Sequence, residues 1–183
     1  MNKLLFILLM TLNLAGFSQD KYITRTGHAY FISHTDIIDI DGDNYQVGSI
    51  LNIKTGEMIF TVLMKSFQFT LALAEEHFNE NYVESHKFPK ATFKGKILNI
   101  EQIDLTKAGK YSVEVEGDLT IHGETNKIKE KGLLEVKGDK IYATSKFSIA
   151  LKDYKIGIPK LVADKVAPII PISINLEYEL LNK

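Results

Sequence analysis

Phe78-Asn-Glu-Asn-Tyr82-Val-Glu-Ser-His-Lys-Phe88-Pro89-Lys-Ala-Thr-Phe93-Lys-Gly95 changes character halfway along its length. In the first half, Phe78 and Tyr82 are four residues apart among polar neighbours, a spacing that puts both rings on one side of a helix. Pro89 lacks a backbone N–H and cannot continue that helix. Beyond it, Ala91, Phe93 and Gly95 alternate with Lys90, Thr92 and Lys94, the two-residue period of a strand with one apolar face. Upstream, Leu73, His77 and Phe78 lie near one stripe while Glu75, Glu76 and Glu80 lie elsewhere, so the helical reading extends over Leu71 to Ser85.

The same alternation fills most of the chain. Tyr111, Val113, Val115, Gly117, Leu119 and Ile121 share a face opposite Ser112, Glu114, Glu116, Asp118 and Thr120. Ile141 to Leu151 and Ile172 to Leu180 repeat the pattern. Turn residues separate the runs at Asp41-Gly-Asp-Asn44, Lys54-Thr-Gly56, His122-Gly-Glu-Thr-Asn126 and Lys137-Gly-Asp139, and short connections of this kind join antiparallel neighbours. Glu57 to Phe69 is apolar on both faces (Met58, Phe60, Val62 and Met64 against Ile59 and Leu63), which predicts a strand covered on its outer side by the helix. Ile156 to Pro171 holds three of the four prolines and reads as a loop with a short helix near Leu161 to Val166. Seven or eight one-sided strands make an all-β domain, either a sandwich or a closed barrel, and periodicity does not choose between them.

The first residues are expected to lie outside that domain. Lys3 gives a basic start, Leu4 to Leu14 is apolar apart from Thr11 and Asn13, and Gly16 and Ser18 are small. This predicts a secretory signal peptide over residues 1–18, cut near Ser18/Gln19, with one domain over residues 19–183. A spanning anchor needs about 20 apolar residues, more than this run supplies. The chain contains no cysteine, which removes disulfides, thiolate metal sites and lipid acylation. Without Lys3 it carries 21 basic against 23 acidic residues. The signs are interspersed, and no basic stripe points to nucleic acid.

Several segments, in order, resemble one family. These are Thr26 to Thr35, the Phe78 to Gly95 stretch, Gly117-Asp-Leu-Thr-Ile-His-Gly-Glu-Thr125 and Lys152-Asp-Tyr-Lys-Ile-Gly-Ile-Pro159. Together they are similar to the YceI-like family of periplasmic, lipocalin-like barrels that bind long isoprenoids, and the resemblance covers about Tyr22 to Tyr178. It implies an extended antiparallel barrel of about eight strands with one or two short helices. It also implies an apolar lumen holding a polyprenyl phosphate, a quinone-like tail or another amphiphilic lipid, in the periplasm or outside the cell. Tyr30, Ile32, Phe60, Val62, Phe93, Val113, Val115, Phe147, Ile149 and Ile174 are then expected to line the tail. Phe78, Tyr82, His34 and His122 are expected at the mouth or head group. Lys155 departs from the family, whose members commonly carry glycine there, and a positive φ is harder for lysine.

Catalytic chemistry finds no constellation. His28 and His34 share a strand face but stand about 20 Å apart, and His77 and His86 lack the four-residue spacing of a helical zinc pair. His34, Thr35 and Asp36 read as a strand end closed by side-chain hydrogen bonds. No serine lies in a G-x-S-x-G elbow. The expectation is a binding protein without enzymatic activity, cofactor, metal or stable membrane insertion, and a homodimer is left open. The alternative is an envelope stress-related protein that acts by contacting another protein.

Overall fold

The computed structural model describes residues 20–105 and 107–181; the expected signal peptide lies outside the described residues. Nine strands form in chain order: β1 (Lys21–His34), β2 (Asp39–Asn52), β3 (Glu57–Leu63), β4 (Gln68–Phe69), β5 (Lys90–Ile97), β6 (Gly109–Ile121), β7 (Glu124–Lys137), β8 (Lys140–Ala150) and β9 (Ile169–Leu180). Eight of them close a ring in the order β1-β9-β8-β7-β6-β5-β3-β2, with β2 returning to β1 and every pairing antiparallel. The two-residue β4 pairs only with the start of β2. Closure leaves none of these eight strands with a wholly unpaired edge, which limits the backbone that would otherwise template aggregation.

A short helix α1 (Ala72–His77) continues into a π-helical turn over Phe78–Tyr82. The connection that carries it leaves β3 and re-enters at β5, which places it at one end of the barrel. At the other end the core is solid: Val47, Leu51 and Tyr178 have 0% exposure and Ile141 has 1%. There the Tyr178 hydroxyl lies 2.6 Å from Ser49 Oγ, which donates at 2.8 Å to the Ile59 carbonyl. Burial pushes the Tyr178 phenol up to about 12, so it stays a hydrogen-bond donor across β9, β2 and β3.

Three expectations are corrected by the fold. Asp41 to Asn44 is no turn: these residues continue β2, with Asp41 opposite Ile32 and Asn44 opposite Ala29. The connection between β1 and β2 is Thr35 to Ile38, where Thr35 Oγ1 accepts from the Ile37 and Ile38 N–H groups and donates to the Ile38 carbonyl. Gly42 serves packing instead, since a Cβ there would stand 2.7 Å from the Phe31 ring.

The second correction concerns Tyr30 and Ile32, which point outward. Thr24 faces Ser49 but Gly27 faces Val47, and between them Arg25 and Thr26 are both exposed. This bulge adds one residue to β1, and a one-residue slip moves every later side chain to the other face. Even-numbered residues point in before it and odd-numbered ones after it, so Ala29, Phe31 and Ser33 face the interior.

The third concerns the outer side of β3. Ile59 is 49% exposed and Leu63 38%, because α1 lies across the barrel end and not along the wall.

Candidate functional site in the barrel lumen

Between the solid end and α1 the barrel is hollow. The cavity measures about 280 Å³ and runs from Phe69, Ala74 and His77 down to Ile97, Leu134 and Leu176. Its wall is the inward face of every long strand, where the two-residue period sets apolar side chains toward the axis. Of the residues expected to line it, Phe60, Val62, Phe93, Val113, Val115, Phe147, Ile149 and Ile174 do, as do Phe78 and Tyr82 from the helical segment. Tyr30, Ile32, His34 and His122 do not.

The helical end is capped by aromatic rings. Phe31, Phe67, Phe69 and Phe78 pack with centroid separations of 5.0–5.8 Å. Phe78 is the helix's contribution, so the helix closes the end of the vessel through one ring set against three from the barrel. Contacts in this offset and edge-on range each add about 0.5–1.5 kcal/mol beyond area burial. Tyr82 lies beside them, its hydroxyl pKa raised by burial.

The two histidines expected at the head group have other work. His34 is exposed on the outer face and its Nδ1 lies 2.5 Å from Asp39 Oδ1, which ties the ends of β1 and β2. His122 sits in the two-residue turn between β6 and β7, with φ of 51° followed by 77° at Gly123. Two positive φ angles make the type I′ turn that matches strand twist. Its ring nitrogens face the Tyr154 carbonyl at 3.1 Å and Glu84 Oε2 at 3.0 Å, and its ring meets Phe88 edge-on at 4.6 Å. Hydrogen bonds from Lys87 and His122 hold the Glu84 carboxyl below its usual range. His122 is thus a structural tie outside the lumen, joining the hairpin, the segment after the helix and the Leu151–Tyr154 turn. His122→Ala is expected to lower stability by about 1–2 kcal/mol, from the lost carbonyl bond and ring packing. Chemical denaturation checks this.

Lys155 takes the left-handed conformation, φ 53° and ψ 27°, so the positive φ that glycine would favour is present and lysine adopts it. Its ammonium lies 2.8 Å from Glu124 Oε1. Beside it, the Asn126 amide donates at 2.7 Å to the Asp153 carbonyl.

Sequence reasoning missed Ala29, Phe31 and Ser33, all lining residues, because nothing in β1 announces its bulge. It also passed over Glu130, the one carboxylate on the cavity wall among the described residues. Here a signal existed: Glu130 shares its strand face with Ile128, Gly132 and Leu134, so a charge interrupts an apolar row.

Among the described residues no group of three or more His, Asp or Glu is arranged to hold a metal ion, and no helix is long and apolar enough to cross a membrane. What the arrangement can do is enclose apolar matter. Each methylene removed from water is worth about 0.8 kcal/mol, and the hollow offers such burial along its length.

Known proteins share this architecture. A polyisoprenoid-binding domain from Saccharophagus degradans, implicated in plant cell wall breakdown, superposes with a TM-score of 0.77 at 16% identity, over 88% of this chain and 99% of that one. BcnA from Burkholderia cenocepacia gives 0.65 at 17% identity, over 82% and 95%. The YceI protein of Campylobacter jejuni gives 0.58 at 18%, over 80% and 88%. No curated protein matches the chain. The model of the YceI-like domain matches residues 22–178, nearly the whole barrel and both of its ends, and the chain belongs to the YceI-like family.

Proposed function

We propose that this barrel binds the apolar chain of a long isoprenoid lipid in its lumen and holds it without turning it over. The observation that carries the reading is the hollow itself: about 280 Å³ lined almost entirely by apolar side chains, closed below by packed core and capped above by phenyl rings. A filled core would close such a space with its own side chains. The polyisoprenoid binding named for the Saccharophagus domain supports the same class of ligand. Export through the expected signal peptide would bring the barrel to a membrane-bounded compartment where such lipids are at hand. The protein-contact alternative would be favoured by a filled lumen together with an exposed apolar patch on the outer wall; the lumen is hollow, while Ile50 and Ile59, opposite one another on β2 and β3, are exposed.

The test is native mass spectrometry and solvent extraction of protein purified from its own cell envelope. An isoprenoid at about one per barrel is the expected result. Repeated recovery of empty protein, with no uptake of geranylgeraniol in solution, would sink the reading.

A further inference from the structure

The barrel wall is not continuous. Strands β7 and β8 pair only from Lys137↔Lys140 to Gly132↔Ser145, although β7 begins at Glu124 and β8 ends at Ala150. Above Gly132 the two strands separate, and among the described residues no backbone bond joins Lys127–Lys131 to Lys146–Ala150. The gap is closed again at the top by the Asn126 bond to Asp153 and the ion pair of Lys155 with Glu124. Asn126 and Gly132 are six positions apart, so the slot is about 20 Å tall at 3.4 Å per residue.

The sequence explains where the ladder stops. One step beyond Gly132↔Ser145, Lys131 would stand directly opposite Lys146, both on the outer face. Like charges in that position destabilise a pair. Neither ammonium has a carboxylate partner among the described residues, whereas Lys127 and Lys129 reach Glu116 and Glu114 on the far side, toward β6. Ser145 Oγ donates instead to the Lys131 carbonyl at 2.8 Å, ending the ladder with a side-chain bond.

The next step would bring Glu130 opposite Phe147, and both line the cavity. The Glu130 carboxylate has no hydrogen bond or ion pair among the described residues, while its backbone belongs to the ladder with β6. It stands on the inner lip of the slot, on the opposite face from the lysines because successive side chains alternate. A carboxylate accepts hydrogen bonds and repels anions.

We propose that the slot between β7 and β8 is a lateral port of the lumen, at which Glu130 receives a head group that donates hydrogen bonds (an alcohol, amide or amine) and disfavours a phosphate. This rests on the lumen being the lipid site. Lys131 and Lys146 keep the port unzipped, and Ser145 marks its lower corner.

The experiment uses three probes with one tail, geranylgeraniol, geranylgeranylamine and geranylgeranyl phosphate, titrated calorimetrically into delipidated protein. The alcohol and amine are expected to bind at least tenfold more tightly than the phosphate. Glu130→Ala should weaken the alcohol about tenfold, the worth of one hydrogen bond to a charged group, and should not weaken the phosphate. Glu130→Gln keeps the shape and drops the charge, and should raise phosphate affinity even where the alanine variant folds poorly. Lys146→Glu would face Lys131 with an opposite charge, and is expected to slow dissociation of the alcohol at least tenfold. Equal binding of all three probes, indifferent to Glu130, overturns the port's selectivity. Phosphate binding that is tightest and lost on Lys131→Ala overturns it in favour of the lysines. An unchanged dissociation rate in Lys146→Glu overturns the port as a route. Failure of every probe to bind sinks the lumen reading itself and the port with it.

Discussion

Gly117→Ala is expected to destabilise the barrel by about 3 kcal/mol, at the upper end of what overpacking costs. Gly95 on β5 and Gly117 on β6 face each other in the ladder, and the Phe93 ring lies over both. A Cβ on Gly117 would stand 2.4 Å from the Lys94 carbonyl oxygen, 2.5 Å from the Gly95 Cα and 2.6 Å from the tip of Phe93. The ring can swing away into the hollow, but the two backbone atoms retreat only by pulling the ladder apart. In urea, the midpoint should fall with the slope unchanged, which marks lost stability and not a changed unfolded state. Gly157→Ala is the control: its Cβ would meet nothing within 4 Å, so a shift under about 0.5 kcal/mol is expected. Equal behaviour of the two variants would contradict this account of the β5–β6 contact.

The second large effect is on binding. Ala143 lies on β8 between Leu134 and Leu176, buried and on the cavity wall. Ala143→Phe puts a ring into the hollow without touching the solid end. Displacing three or four methylenes of a bound tail costs about 2.7 kcal/mol, a hundredfold loss in affinity for geranylgeraniol. The melting midpoint should hold or rise, since the ring fills empty space. Wild-type affinity in a folded Ala143→Phe protein would place the tail elsewhere.

Most of the wall was legible because the two-residue period is a direct consequence of strand geometry. Val113, Val115, Phe147, Ile149 and Ile174 all face where alternation puts them. Tyr30 and Ile32 fail for a local reason: a bulge is one residue of backbone that leaves no mark in side-chain chemistry, yet reverses everything after it. Asp41-Gly-Asp-Asn44 fails because turn-forming residues also serve inside a strand. Gly42 there makes room for Phe31, while the Asn44 side chain accepts from the Gln46 N–H and donates to the Leu63 carbonyl. Ile59 and Leu63 look like core because they are apolar, but their cover would have had to be α1, and where a helix lies across a barrel is a tertiary fact. Closure itself was carried by the resemblance. The slot was not readable at all from either strand alone. It depends on the register that sets Lys131 against Lys146, and register appears only once both strands are paired.

The solid end built on Tyr178, Leu51, Val47 and Ile141 has a further consequence for traffic. A vessel with a stopped bottom is a cup and not a pipe: cargo cannot be taken in at one end and passed out at the other. On the proposed reading, a lipid enters foot first and leaves foot last through the same opening. Loading and release, on that reading, take place at one face of the protein, one after the other and never together.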